Sequence, residues 1–146
     1  MTAFTVTRSV SLSATETWAR LTDFAAHGDA IPLTRMQTDS APLGLGWEFS
    51  GITGVGRVAF ADHMIVTIFD PPTLDSPGRF RIVKIGAWLK GWADVSVTPL
   101  PTGGSQVSWT EELGPRLDPV PFLTGPVSAW AGRRLFAQTL DRLLAA

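Results

Sequence analysis

The sequence predicts an α+β fold, a strongly curved antiparallel sheet of about seven strands wrapped around one long C-terminal helix, with two short helices after the first strand. Three observations carry this. Residues 33 to 113 form a succession of strand-like runs broken by Gly, Pro and Asp. All but one of the connections between them, the one through Pro71 and Pro72, are of hairpin length. From about Pro126 the apolar residues switch to helical spacing. At 146 residues the chain suits a single domain, 1–146, with one core.

Residues 3 to 11 alternate Phe4, Val6, Arg8 and Val10 against Thr5, Thr7, Ser9 and Ser11, a strand rich in β-branched side chains. Ser13-Ala14-Thr15-Glu16 then makes a capping box, in which Ser13 accepts from the Glu16 backbone and the Glu16 side chain reaches back. A short helix follows to about Thr22 and buries Trp18 and Leu21. A second runs from Phe24 to Ala30, closed by Pro32, and its His27 reads as a solvated surface histidine. Six strands are expected next, at 33–39, 46–52, 57–69, 79–89, 92–99 and 105–113, with one turn placed at Lys90-Gly91. Gly44-x-Gly46 and Gly54-x-Gly56 look like fragments of a phosphate loop, but neither precedes a helix.

The closing helix changes character along its length. Phe136, Leu140 and Leu143 share one face, flanked by Leu135, Thr139 and Leu144, while Arg134, Gln138, Asp141 and Arg142 lie opposite. Projected backward, the same core face meets Ser128, Ala129 and Gly132. A glycine inside a helix costs roughly 1 kcal/mol relative to alanine, so Gly132 implies a need for space or for close approach. A bare half-face laid on a sheet leaves a gap, and an apolar gap is a ligand-site candidate.

Composition narrows the function classes. The net charge of -1 and scattered basic residues argue against a nucleic-acid binder. No cysteine is present, which removes disulfides, thiol catalysis and thiolate metal sites. The opening residues alternate like a strand, unlike a signal peptide, and no apolar run approaches the roughly 20 residues needed to span a bilayer. A cytoplasmic protein is expected. Six Trp and eight Phe with no Tyr supply large apolar area with few polar handles.

Two strands carry the candidate chemistry. On the last one Val107, Trp109, Glu111 and Leu113 share a face, so Glu111 lies on the apolar side. On strand 57–69 Asp62 is the polar member of a face with Val58, Phe60, Met64, Val66 and Ile68, and His63 belongs to the other. A bulge midway would exchange these sets, which leaves open whether Asp62 or His63 points inward. An unpaired carboxylate on an apolar face has a raised pKa and suits acid-base work; the alternative is a buried ion pair, for instance Glu111 with Arg133. No Ser-His-Asp order, His-x-x-x-His spacing or paired-carboxylate motif occurs, and two histidines cannot build a three-histidine metal site. Neither metal nor cofactor is expected. Trp47, Trp88, Trp92 and Trp109 fall on strands or at their ends. With Phe60, the inward ones among them would make a flat apolar lining, whereas Trp88 and Trp92 could instead sit at a rim or in a dimer contact. Trp130 falls away from the helix core face and is expected to be exposed or in an interface.

The order of elements resembles the helix-grip fold of the START and birch-pollen-allergen superfamily (SRPBCC), and within it the polyketide cyclase/dehydrase-type group. The carrying residues are the opening strand into Ser13-Ala14-Thr15-Glu16-Thr17-Trp18, then Leu21-Thr22-Asp23. Val66 to Pro72, ending Asp-Pro-Pro, is similar to the family's strand exit; Pro101-Thr102-Gly103-Gly104 is similar to its hairpin before the last strand, and Leu140 to Leu144 to its helix end. The resemblance spans nearly the whole chain. It implies a cavity between helix and sheet, and functions from lipid carriage and hormone binding to cyclisation and co-chaperone activity. The chain offers no tyrosine hydroxyl to a cyclase mechanism.

The leading expectation is therefore a binding protein for a small, mostly apolar molecule, aromatic or polyketide-like, lined by Trp47, Phe60, Trp88, Trp109, Glu111, Ser128, Ala129 and Gly132. The second is a cyclase or dehydratase using Glu111, Asp62 or His63 as acid-base groups. The third is an interaction module, a homodimer built on Trp130 and Trp92.

Overall fold

The computed structural model describes residues 3–116 and 126–145, with backbone alone over 126–129. The chain runs β1 (Phe4–Val10), α1 (Ala14–Leu21), α2 (Phe24–Ala30), β2 (Thr34–Thr38), β3 (Glu48–Val55), β4 (Val58–Asp70), β5 (Gly78–Lys84), β6 (Leu89–Pro99), β7 (Ser105–Pro115) and α3 (Pro126–Leu143). The seven strands form one antiparallel sheet in the order β1-β7-β6-β5-β4-β3-β2. From β2 to β7 sequence neighbours are spatial neighbours, as hairpin-length links require, and β1 closes the far edge beside β7. This curved sheet with its C-terminal helix is the helix-grip fold. No helix among the described residues is long and apolar enough to cross a membrane.

Local chemistry sets the short helices. Ser13 caps α1 by accepting from the Glu16 amide at 3.1 Å. The return half of the expected capping box does not form, because the Glu16 side chain pairs with Arg20 at 3.2 Å one turn on. Asp23 caps α2 by accepting from the Ala26 amide at 3.3 Å. Both helices turn their apolar sides to the sheet, burying Trp18, Leu21 and Phe24.

The core fills one end of the concave face with rings. Trp18 meets Phe69 and Phe80 at 5.4 and 5.5 Å between centroids, and Phe24 stacks on Phe49 at 4.6 Å. Val95, Val97 and Val107 are fully buried beneath them. α3 seats Thr139 and Leu140 in this core, joined by Leu144 just past its end, and packs against β1 and α2. Two polar ties fix it: Arg8 to Asp141 at 2.7 Å, and Arg142 donating to the Ala30 carbonyl at 2.8 Å.

Two local expectations are corrected. The turn expected at Lys90-Gly91 lies earlier, at residues 85–88, and β6 runs straight through both residues. Gly91 allows this by adopting φ +135° and letting the Glu112 carbonyl oxygen approach to where a Cβ would sit, 1.8 Å away. His27 is buried, not solvated: α2 turns it onto the core, where its Nε2 lies 2.9 Å from the Leu21 carbonyl oxygen.

Candidate functional site

The other end of the concave face is empty. A cavity of about 320 Å³ opens there, bounded by α2, by strands β2 to β7 and by Leu135 and Phe136 of α3. Small residues make the room. Gly51 of β3 pairs with Asp62 of β4, and Ala93 of β6 pairs with Glu111 of β7, so each inward carboxylate has a side chain of minimal bulk beside it. A Cβ on Gly51 would meet nothing closer than 3.6 Å. Most of the lining is apolar, with Met36, Phe49, Phe60, Met64, Ile82 and Leu113 among it.

The charged groups gather in one place, apart from the Thr34–Thr53 hydroxyl pair on β2 and β3. Register puts Phe60, Asp62 and Met64 of β4 on the cavity side. A bulge between Val66 and Ile68 then reverses the strand, so Phe69 returns to the core against Trp18. Asp62 therefore points inward. His63 points to the outer face, exposed, and hydrogen-bonds Ser50, which removes it from the cavity chemistry.

On β5, Phe80, Ile82 and Lys84 alternate inward, and the Lys84 ammonium forms an ion pair with Asp62 Oδ2 and reaches Met64 Sδ at 3.6 Å. Both charged side chains are largely buried, at 8% exposure for Lys84 and 14% for Asp62. The other oxygen, Oδ1 of Asp62, is buried without a hydrogen-bond partner among the described residues.

Glu111 completes the cluster. It is 2% exposed, and its Oε2 accepts from the Trp109 indole N-H at 3.0 Å. Burial raises its pKa to about 7; the positive charge of Lys84 and the indole hydrogen bond act against that rise, and the Asp62 charge adds to it. The expected alternative partner, Arg133, is exposed on α3, so the cation that bears on Glu111 is Lys84. His27 closes this side, its ring 6.0 Å from that of Trp109. Burial lowers its pKa below the ordinary value of 6.5, against the raising effects of the Leu21 carbonyl and Asp23. Among the described residues no group of three His, Asp or Glu side chains could hold a metal ion.

Of the residues expected to line the cavity, Phe60, Trp109 and Glu111 do. Trp47 does not: its indole N-H donates to the Ala41 carbonyl at 2.9 Å, and its ring packs against Phe24 and Phe49 behind the cavity wall. Trp88 does not either, because the relocated turn carries it out to 64% exposure. Gly132 faces β1, where an added Cβ would come within 3.3 Å of the Phe4 ring; its role is close approach of helix to strand, not open space. Ser128 and Ala129 lie outside the described side chains. Trp130 is exposed beside Arg134, while Trp92 is half-buried beneath the Arg81 guanidinium, 4.6 Å from its ring centroid. Lys84, Gly51 and His27 are the site residues that sequence reasoning missed. The alternation Phe80, Ile82, Lys84 was available as a signal for the first; the others needed the strand register and the packing of α2.

Known structures share the architecture. A START superfamily protein from Mycobacterium smegmatis superposes with a TM-score of 0.70 at 16% identity, covering 97% of this chain and 96% of that one. A hypothetical protein from Helicobacter pylori gives 0.75 at 16% identity over 99% and 86%. A Streptomyces aromatase/cyclase gives 0.60 at 16% identity over 97% and 86%. At such identities the likeness is one of fold. No curated protein matches the chain in sequence. The family model described as polyketide cyclase/dehydrase and lipid transport matches residues 1–146, the whole chain, and the protein belongs to that family.

Proposed function

We infer that the protein binds a small, mostly apolar molecule inside the curved sheet, with the polar end of the ligand at Asp62, Lys84 and Glu111. The observation that carries this is the 320 Å³ cavity itself, apolar over most of its wall and charged at a single cluster. Family membership supports the reading, since lipid transport and cyclisation both begin by enclosing an apolar molecule. The test uses the neutral dye Nile red. Wild-type protein should enhance its fluorescence saturably, and Gly51→Leu, whose Cβ meets Met36, Thr34 and Met64 only at ordinary contact distance and whose side chain grows into the cavity, should abolish that while leaving the circular dichroism spectrum unchanged. Undiminished dye binding by a folded Gly51→Leu would place the binding elsewhere.

A second reading, acid-base catalysis on a carbonyl or polyketide-like substrate, is favoured by one observation. Glu111 has a pKa brought to about 7, beside an ammonium and a second carboxylate in a site screened from water. Glu111 would then move the proton, while Lys84, held by Asp62, would stabilise negative charge developing on a carbonyl oxygen. Any turnover found should depend on a group titrating near pH 7, and Glu111→Gln should lower kcat/KM by about 100-fold or more. An unchanged pH profile in Glu111→Gln would remove Glu111 from the chemistry.

A further inference from the structure

We propose that the cavity selects ligands ending in a hydrogen-bond donor, a hydroxyl or an amine, and rejects the carboxylate-ended lipids that an apolar cavity of this size would otherwise admit. This rests on the ligand-binding reading above. Acceptors outnumber donors at the polar cluster. The Lys84 ammonium is engaged with Asp62 Oδ2 and the Met64 sulfur. Asp62 Oδ1 is buried with no partner among the described residues. Glu111 receives one indole N-H. Glu111 is the acceptor assigned to the ligand donor, because it lines the cavity and accepts only the indole N-H among the described residues, whereas Asp62 Oδ1 is closed even to water.

Charge points the same way. The cluster holds two carboxyl groups against one ammonium, and His27 beside it is kept neutral by burial. A ligand carboxylate would add negative charge to a desolvated site already balanced or negative, whereas an ammonium paired with ionised Glu111 brings the sum to zero.

The test is displacement of Nile red from the full chain at pH 8 by four molecules sharing one ring body: naphthalene, 2-naphthol, 2-naphthylmethylamine and 2-naphthoate. The alcohol and the amine should displace the dye at concentrations about tenfold or more below that needed for 2-naphthoate, the margin of one hydrogen bond to a charged acceptor. Binding of 2-naphthoate as tight as that of 2-naphthol would overturn the proposal and make Lys84 an anion site. The companion variant is Glu111→Gln, which removes the carboxylate that pairs with the ligand ammonium and leaves the Asp62–Lys84 ion pair in place. In it the preference for amine over carboxylate should fall toward one, and a preference left intact would also overturn the assignment. If neither Nile red nor naphthalene binds at all, the ligand-binding reading fails, and this proposal falls with it. That outcome is distinct from binding without selectivity.

Discussion

At the scale of single residues, Glu111 is where sequence and site chemistry meet. Its place two residues after Trp109 on an alternating strand puts it among apolar side chains, and burial does the rest. The pKa rises from 4.5 to about 7 in the folded protein, so the folded state binds a proton that the unfolded state has released between those values. Stability from this group is complete below about pH 4.5 and is lost as pH climbs through 7, by about 3 kcal/mol in total. The difference in urea-unfolding free energy between wild type and Glu111→Gln should therefore shift against the wild type by that amount from pH 4.5 to 8. His27 works in the opposite sense: its depressed pKa gives stability that is present above pH 6.5 and lost as pH falls through its folded value. Taking the difference against the Glu111 variant at each pH cancels that contribution. A flat difference would mean that Glu111 is paired or solvated in solution.

At the scale of elements, the strands were legible because alternation survives in β1 and over most of β7, and in β4 as far as the bulge after Val66. Their junctions were less so. Gly91 is read naturally as a turn residue, yet it serves as a thin point where β6 presses on β7 at the Glu112 carbonyl. Gly91→Ala should cost about 1–3 kcal/mol or more in urea unfolding, from both the positive φ and the clash. Gly44→Ala, where an added Cβ meets nothing within 4 Å, should change stability by less than about 0.5 kcal/mol. Equal costs at the two positions would show that close strand contact is not what Gly91 provides. The two halves of α3 were separable in sequence, but the reason for the small residue was not. Gly132 could serve a cavity or a contact, and only the position of Phe4 decides for contact.

At the scale of the whole molecule, one concave surface is divided between a packed aromatic end and an open polar-floored end. α3 belongs to both, through Leu140 in the core and Leu135 at the cavity. The division predicts unequal sensitivity along one helix. Leu140→Ala should cost about 2–5 kcal/mol, since a fully buried side chain leaves a void. Leu135→Ala, at a position already 37% exposed, should cost less than about 1 kcal/mol while altering dye affinity. Comparable losses from the two would mean that the cavity collapses around the helix in solution.

The sequence by itself determined the order of elements, the inward face of β7, the apolar seam of α3 and the absence of thiol chemistry, because these depend on spacing within a segment. The tertiary structure alone decided that the bulge falls after Asp62, that Lys84 meets it from the next strand, and that Gly51 and Ala93 leave room beside the carboxylates. It also took Trp47 and Trp88 out of the cavity. Those facts depend on which residues of different strands stand side by side, and a shift of one residue in pairing exchanges the two faces of a strand.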